Sequence, residues 1–199
     1  MSRKIALLAA TTAAALALVG CSQQAQDDDG MDGMDHGSGS SSESSNADFN
    51  DADAMFASMM IPHHEQAVEM SEMLLAKDDV PADVADLAQR IMDAQAPEID
   101  TMNTWLDEWG VDASEHEGMD HGDDGMMSDD EMAELEDATG PDASRIYLEQ
   151  MIEHHEGAIT MAEDEVADGQ NPDAVDLAQT IVDTQQAEIE EMQQLLTAL

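Results

Sequence analysis

Apolar residues recur at steps of three and four in four separate stretches of the chain, the spacing that places side chains on one face of an α-helix. Phe56, Met60, His63, Ala67, Met70 and Leu74 mark the first face, and Ile91, Gln95, Glu98, Met102 and Trp105 the second. Tyr147, Met151, His154, Ala158 and Met161 mark the third, and Ile181, Gln185, Glu188, Met192 and Leu195 the fourth. A stretch of about 25 residues spans roughly 37 Å as a helix. Pro81 and Pro172 stand just before the second and fourth stretches, where proline suits a first helical turn, with Asp79 and Asn171 as candidate caps. A helical hairpin alone leaves its apolar stripe in water. Two hairpins therefore predict an all-α fold, a four-helix bundle, and about 150 residues suffice for its core.

The two hairpins are copies of each other. Met60-Ile61-Pro62-His63-His64-Glu65-Gln66-Ala67-Val68-Glu69-Met70 and Met151-Ile152-Glu153-His154-His155-Glu156-Gly157-Ala158-Ile159-Thr160-Met161 agree at seven of eleven positions. The segments from Asp86 to Leu106 and from Asp176 to Leu196 agree at eleven of twenty-one, including Gln95/Gln185, Glu98/Glu188, Ile99/Ile189 and Met102/Met192. The offset falls from 91 to 90 between the two parts, which places a one-residue deletion in the second repeat's inner loop. The repeats run over 51–109 and 142–199, inside a folded region of 51–199. Pro62 and Pro97 break the likeness, standing where the second repeat has Glu153 and Ala187. An interior proline kinks a helix at a cost of about 3 kcal/mol, so the repeats are expected to present their polar residues differently.

The remaining stretches lack such periodicity. Residues 1–20 carry Arg3 and Lys4, then a short Ala- and Leu-rich run ending Leu18-Val19-Gly20 before Cys21, the layout of an exported, cleaved signal. Its ending resembles the bacterial lipobox, which implies lipidation of Cys21 and a membrane anchor at that residue. The apolar run is shorter than the roughly 20 residues a membrane-spanning helix needs. Residues 21–50 are rich in Gln, Asp, Gly, Met and Ser and are expected to be a disordered acidic tether. Residues 110–141 read as an acidic central loop rich in Met and His.

Charge and cysteine usage narrow the function. Past the signal only Lys77, Arg90 and Arg145 oppose 47 acidic residues. That balance excludes a nucleic-acid partner, which needs Lys and Arg against its phosphates, and it concentrates cations. A dense carboxylate surface also suits solubility in high salt. Cys21 is the sole cysteine, so a soft metal ion has only methionine sulfur to bind. Thioether suits Cu(I), and imidazole suits copper, zinc, nickel and iron.

Candidate metal ligands follow from that chemistry. Met60, His63 and Met70 share one helix side, as do Met151, His154 and Met161, with His64 and His155 rotated by about 100° from their neighbours. Each adjacent His pair therefore does not chelate from its own helix. One member is expected to find a partner on the next helix, with Glu98/Glu188 and Met102/Met192 the obvious choices. Methionine at helical spacing commonly fills core, whereas two repeated His-His-Glu triplets are hard to explain by packing. A second repetition, Gly33-Met34-Asp35-His36-Gly37 and Gly118-Met119-Asp120-His121-Gly122, lies in acidic, glycine-rich surroundings, and short His-rich tracts suggest metal binding. Met31, His116, Met126 and Met127 thicken these clusters. Neither the Glu-x-x-His of di-iron bundles nor the His-Glu-x-x-His of zinc proteases occurs.

The repeated Met-Ile-x-His-His-Glu-x-Ala and Gln-x-x-Glu-Ile-x-x-Met segments resemble the bacterial family known as domain of unknown function 305, over about residues 51 to 199. The resemblance implies a ferritin-like helical bundle in exported proteins, some linked to copper binding and tolerance, with no established enzymatic activity. By position it implies functional roles for His63, His64, Met70, His154, His155 and Met161. The expected function is a lipid-anchored, extracytoplasmic copper-binding protein that buffers or relays the metal to an unidentified transfer partner, without catalysing a reaction. Other soft or borderline metals also suit these ligands. Two further classes stand beside it: a non-metal acidic interaction lipoprotein of a salt-adapted cell, and a redox enzyme with metal in the bundle.

Overall fold

The computed structural model describes residues 49–112 and 125–199. Among these the chain is all-helical, with α1 (Asp51–Leu75), α2 (Ala82–Trp109), α3 (Asp129–Asp137), α4 (Gly140–Asp168) and α5 (Pro172–Ala198) in order. The four long helices are those the apolar periodicity predicts. α1 packs on α2 and α4 on α5 as hairpins, and the hairpins meet chiefly through α1 against α4.

Antiparallel pairing of α1 with α4 fixes the topology. Near the end of α1, the Tyr147 hydroxyl donates to Ser71 Oγ at 2.9 Å, and Ser71 donates onward to the Ala67 carbonyl. At the start of α1, the Asp53 carboxylate accepts from the backbone N–H groups of Gln170 and Asn171, just past the end of α4. Trp109, at the end of α2, stacks on Phe49 beside the start of α1, with ring centroids 4.7 Å apart. α2 thus ends at the opposite end of the bundle from where α4 begins. The connection between them must cross the bundle's length, the single long crossover of ferritin-like bundles.

The crossover is more than the acidic loop expected over 110–141. Ser128 and Glu131 form a capping box that starts α3, leaving Leu135 fully buried and Met127 only 5% exposed in the core. Gln66 on α1 clamps Met127 through both backbone groups, donating to its carbonyl at 2.9 Å and accepting from its N–H at 2.7 Å. Gln150 on α4 donates to the Glu131 carbonyl. Met127, grouped above with the metal-gathering methionines, is a core residue, because it covers apolar surface in the groove between α1 and α4.

Asn50 caps α1, accepting from Ala52 and Asp53 N–H, and Asn171 caps α5. Asp79 does not cap α2. The residue before α2 is Pro81, without a side-chain cap, while Asp79 holds a left-handed turn at φ 62°. Pro62 and Pro97 lie inside α1 and α2, which continue through them. Both rings are exposed on the solvent side, so the bend they impose leaves the core-facing residues in register. The expected difference between the repeats is therefore absent at their His–Glu contacts, described next.

Candidate metal centre

The core is divided by a polar layer. One apolar cluster holds Phe56, Met60, Met102, Ala158 and Ile181, and the other holds Met70, Leu87, Ile91, Tyr147, Met151 and Met192. On each long helix the residues between the clusters are polar: His63 and His64 on α1, Gln95 and Glu98 on α2, His154 and His155 on α4, Gln185 and Glu188 on α5. All four imidazoles are at most 1% exposed, and Gln95, Gln185 and Glu188 are buried too. This layer stands where the two copies of the duplicated motif face each other across the bundle.

The layer's geometry is two-fold in pattern. His64 Nε2 lies 2.8 Å from Glu98 Oε2, and His155 Nε2 lies 2.8 Å from Glu188 Oε2. Adjacent positions on a helix diverge by about 100°, so while His64 and His155 turn to the glutamates of their own hairpins, His63 and His154 turn to each other. Their ring centroids are 3.7 Å apart with planes inclined by 44°. Glu98 and Glu188 are the wetter members, with side chains 18% and 10% exposed.

Protonation follows from this burial. The His154 imidazolium is disfavoured first by burial and then by His63, His155 and His64, which hold its pKa well below the usual value of 6.5. His154 is accordingly neutral at neutral pH, the form that binds metal. In the tautomer that donates from Nε2 to the carboxylate, His64 pairs with Glu98 and His155 with Glu188. Each Nδ1 is then a buried lone pair without a hydrogen-bond partner. A carboxylate that fixes one imidazole nitrogen so that the other can ligate is a recurring support for metal-binding histidines. Buried polar atoms without partners are uncommon and call for a reason; the Gln95 amide shares that condition.

The structure sorts the candidate ligands. It brings His63, His64, His154 and His155 into one layer, with Met60 and Met102 in the cluster on one side and Met151 and Met192 in the cluster on the other. Met70 is fully buried in the second cluster, two turns from His63. Met161 is half-buried and lines a surface cavity instead. Among the described residues no three His, Cys, Asp or Glu side chains gather as a metal-holding group. Met34, His36, Met119, His121 and Cys21 lie outside the described residues.

Another buried carboxyl, that of Glu165, was not singled out from the sequence. Glu165 is 2% exposed, and burial, followed by the neighbouring Asp53, pushes its pKa from 4.5 up to about 8. Nothing in the sequence marks it among 47 acids, since only the α1–α4 pairing sets it beside Asp53.

The profile of the family described as domain of unknown function (DUF305) matches residues 53–196. The chain belongs to the DUF305 family. Among solved structures it is similar to a DUF305 fragment from Deinococcus radiodurans at 30% identity and TM-score 0.69, covering 75% of this chain and 98% of that one. It is also similar to a DUF305 protein from Streptomyces coelicolor described as secreted, at 37% identity and TM-score 0.68, covering 74% and 93%. CopM, solved in Cu(I)-bound, Cu(II)-bound and Ag-bound forms, is similar at 30–32% identity. Its Cu(I) form has a TM-score of 0.63 and covers 73% of this chain and 96% of CopM. No functionally curated protein matches the sequence.

Proposed function

We propose that this DUF305 protein is an extracytoplasmic, lipid-anchored copper-binding protein that buffers or relays the metal and catalyses no reaction. The observation that carries the reading is the polar layer, with its buried imidazoles, two of them oriented by carboxylates, and methionines in the clusters on both sides. Neutral imidazole and thioether are the donors that suit Cu(I). The copper- and silver-bound structures of CopM support that choice of metal. The acidic surface draws cations towards the bundle, and the Met34–His36 and Met119–His121 tracts capture them outside it. Export and anchoring rest on residues 1–21 and on the described secretion of the Streptomyces relative.

An anaerobic Cu(I) competition titration against a chromogenic chelator tests the reading. Affinity should fall in His63→Ala/His154→Ala, and by about 10–100-fold in Glu98→Ala/Glu188→Ala, the usual cost of losing a supporting carboxylate. Unchanged affinity in both variants would end it. A second reading, a non-metal interaction lipoprotein, draws on the self-contained His64–Glu98 and His155–Glu188 hydrogen bonds. It predicts that the parent chain binds copper no better than a scrambled acidic peptide of equal charge.

A further inference from the structure

Among the described residues, the two halves of the α1–α4 groove differ. Between the second half of α1 and the first half of α4, the groove is covered by Met127 and α3, held by Gln66 and Gln150. Between the first half of α1 and the second half of α4, the equivalent groove contains a cavity of about 380 Å³. The repeat offset of 91 shows how the residues differ. Gln66 becomes Gly157 and Gln150 becomes Met59, so the two side chains that hold the crossover are missing. Ile146, packed against the core, becomes Met55, and fully buried Met70 becomes half-buried Met161.

We propose that Met55, Met59 and Met161 form a second site for a soft monovalent cation, Cu(I) or Ag(I), separate from the histidine layer. Met55 and Met59 are one helical turn apart on α1, and Met161 faces the same cavity from α4. All three are half-buried and line the cavity. Core filling, the ordinary use of methionine, accounts for Met60 and Met102, which are fully buried. Met161 also packs against their apolar cluster, whereas Met55 and Met59 belong to neither apolar cluster and line the cavity with it. Asp164, Glu165 and Asp168 also line the cavity, and no Lys or Arg does. With Glu165 holding its proton at neutral pH, the field of Asp164 and Asp168 favours cations in general, whereas three thioethers select the soft ones.

Silver is the probe, because Ag(I) is not oxidised in air. Full-length chain labelled at its methionine methyl carbons is titrated with silver nitrate and followed by NMR, with single Leu variants assigning the three signals. The Met55, Met59 and Met161 methyl signals should move together. The triple variant Met55→Leu/Met59→Leu/Met161→Leu should bind one fewer silver ion per chain than the parent. Leu is close to Met in volume, and unchanged helical circular dichroism checks that the variant folds. His63→Ala/His154→Ala should leave the three shifts intact, so failure of the histidine-layer reading and failure of this site are told apart. The proposal is overturned if the three signals stay still while other methionines respond, if the triple variant binds as many ions as the parent, or if the shifts vanish in the histidine variant.

Discussion

Replacing Glu165 with glutamine should make the protein more stable in mild alkali while changing little in mild acid. Burial and then Asp53 push the Glu165 carboxyl from 4.5 up to about 8. Between those values the folded chain holds a proton that the unfolded chain has released. Stability from this group is therefore complete below about pH 4.5 and is lost as pH rises towards 8. At about 1.36 kcal/mol per pH unit the interval sets a ceiling of roughly 5 kcal/mol. Glu165 borders a cavity open to solvent, and screening there reduces the expected effect to about 2–3 kcal/mol. Glu165→Gln keeps the shape and stays neutral at every pH. Urea unfolding near pH 5 should find variant and parent about equal, and near pH 8.5 the variant should be ahead by about 2–3 kcal/mol. A difference that is the same at both pH values would refute the reasoning, because the general repulsion among the other acids is common to both proteins.

Other substitutions probe the packing and the layer. Leu135→Ala should cost about 2–5 kcal/mol in urea unfolding, the range for emptying a fully buried leucine site, although Leu135 lies in a segment whose composition is that of an acidic loop. Tyr147→Phe should cost about 1 kcal/mol in the same assay, the net value of one buried hydrogen bond, since Ser71 keeps its bond to the Ala67 carbonyl. Because His154 is held neutral, its folded form resists a proton that the unfolded chain accepts. It should subtract stability as pH falls below 6.5, and a His154→Gln variant should show a shallower acid-side loss in thermal melts.

The sequence carried the helices and their faces because apolar spacing reports which side is buried. It also carried the pairing of the layer. His64 and His155 could not point with their neighbours, and Glu98 and Glu188 recur at matching places, so a histidine–glutamate contact between paired helices was legible. The loss of symmetry was not. Leu135 and Met127 sit among acids and glycines, with only Met132 and Ala138 at helical spacing from Leu135, and only the antiparallel contact of α1 with α4 creates the groove they cover. Gln66 and Gln150 look like ordinary surface positions until the crossover passes over them. Met55 and Met59 were hidden among 17 methionines, and the cavity they share with Met161 follows only from the pairing of α1 with α4. Pro62 and Pro97 misled in the opposite direction: a proline's effect depends on which face it occupies, and both are exposed.

The most direct test of the central claim is Cu K-edge X-ray absorption on the full-length chain loaded anaerobically with one equivalent of Cu(I), beside His63→Ala/His154→Ala. A copper ion held in the polar layer predicts a mixed first shell of nitrogen and sulfur, with the outer-shell signature of imidazole lost in the variant. A spectrum that is the same in both proteins would contradict copper binding by the His63–His154 layer.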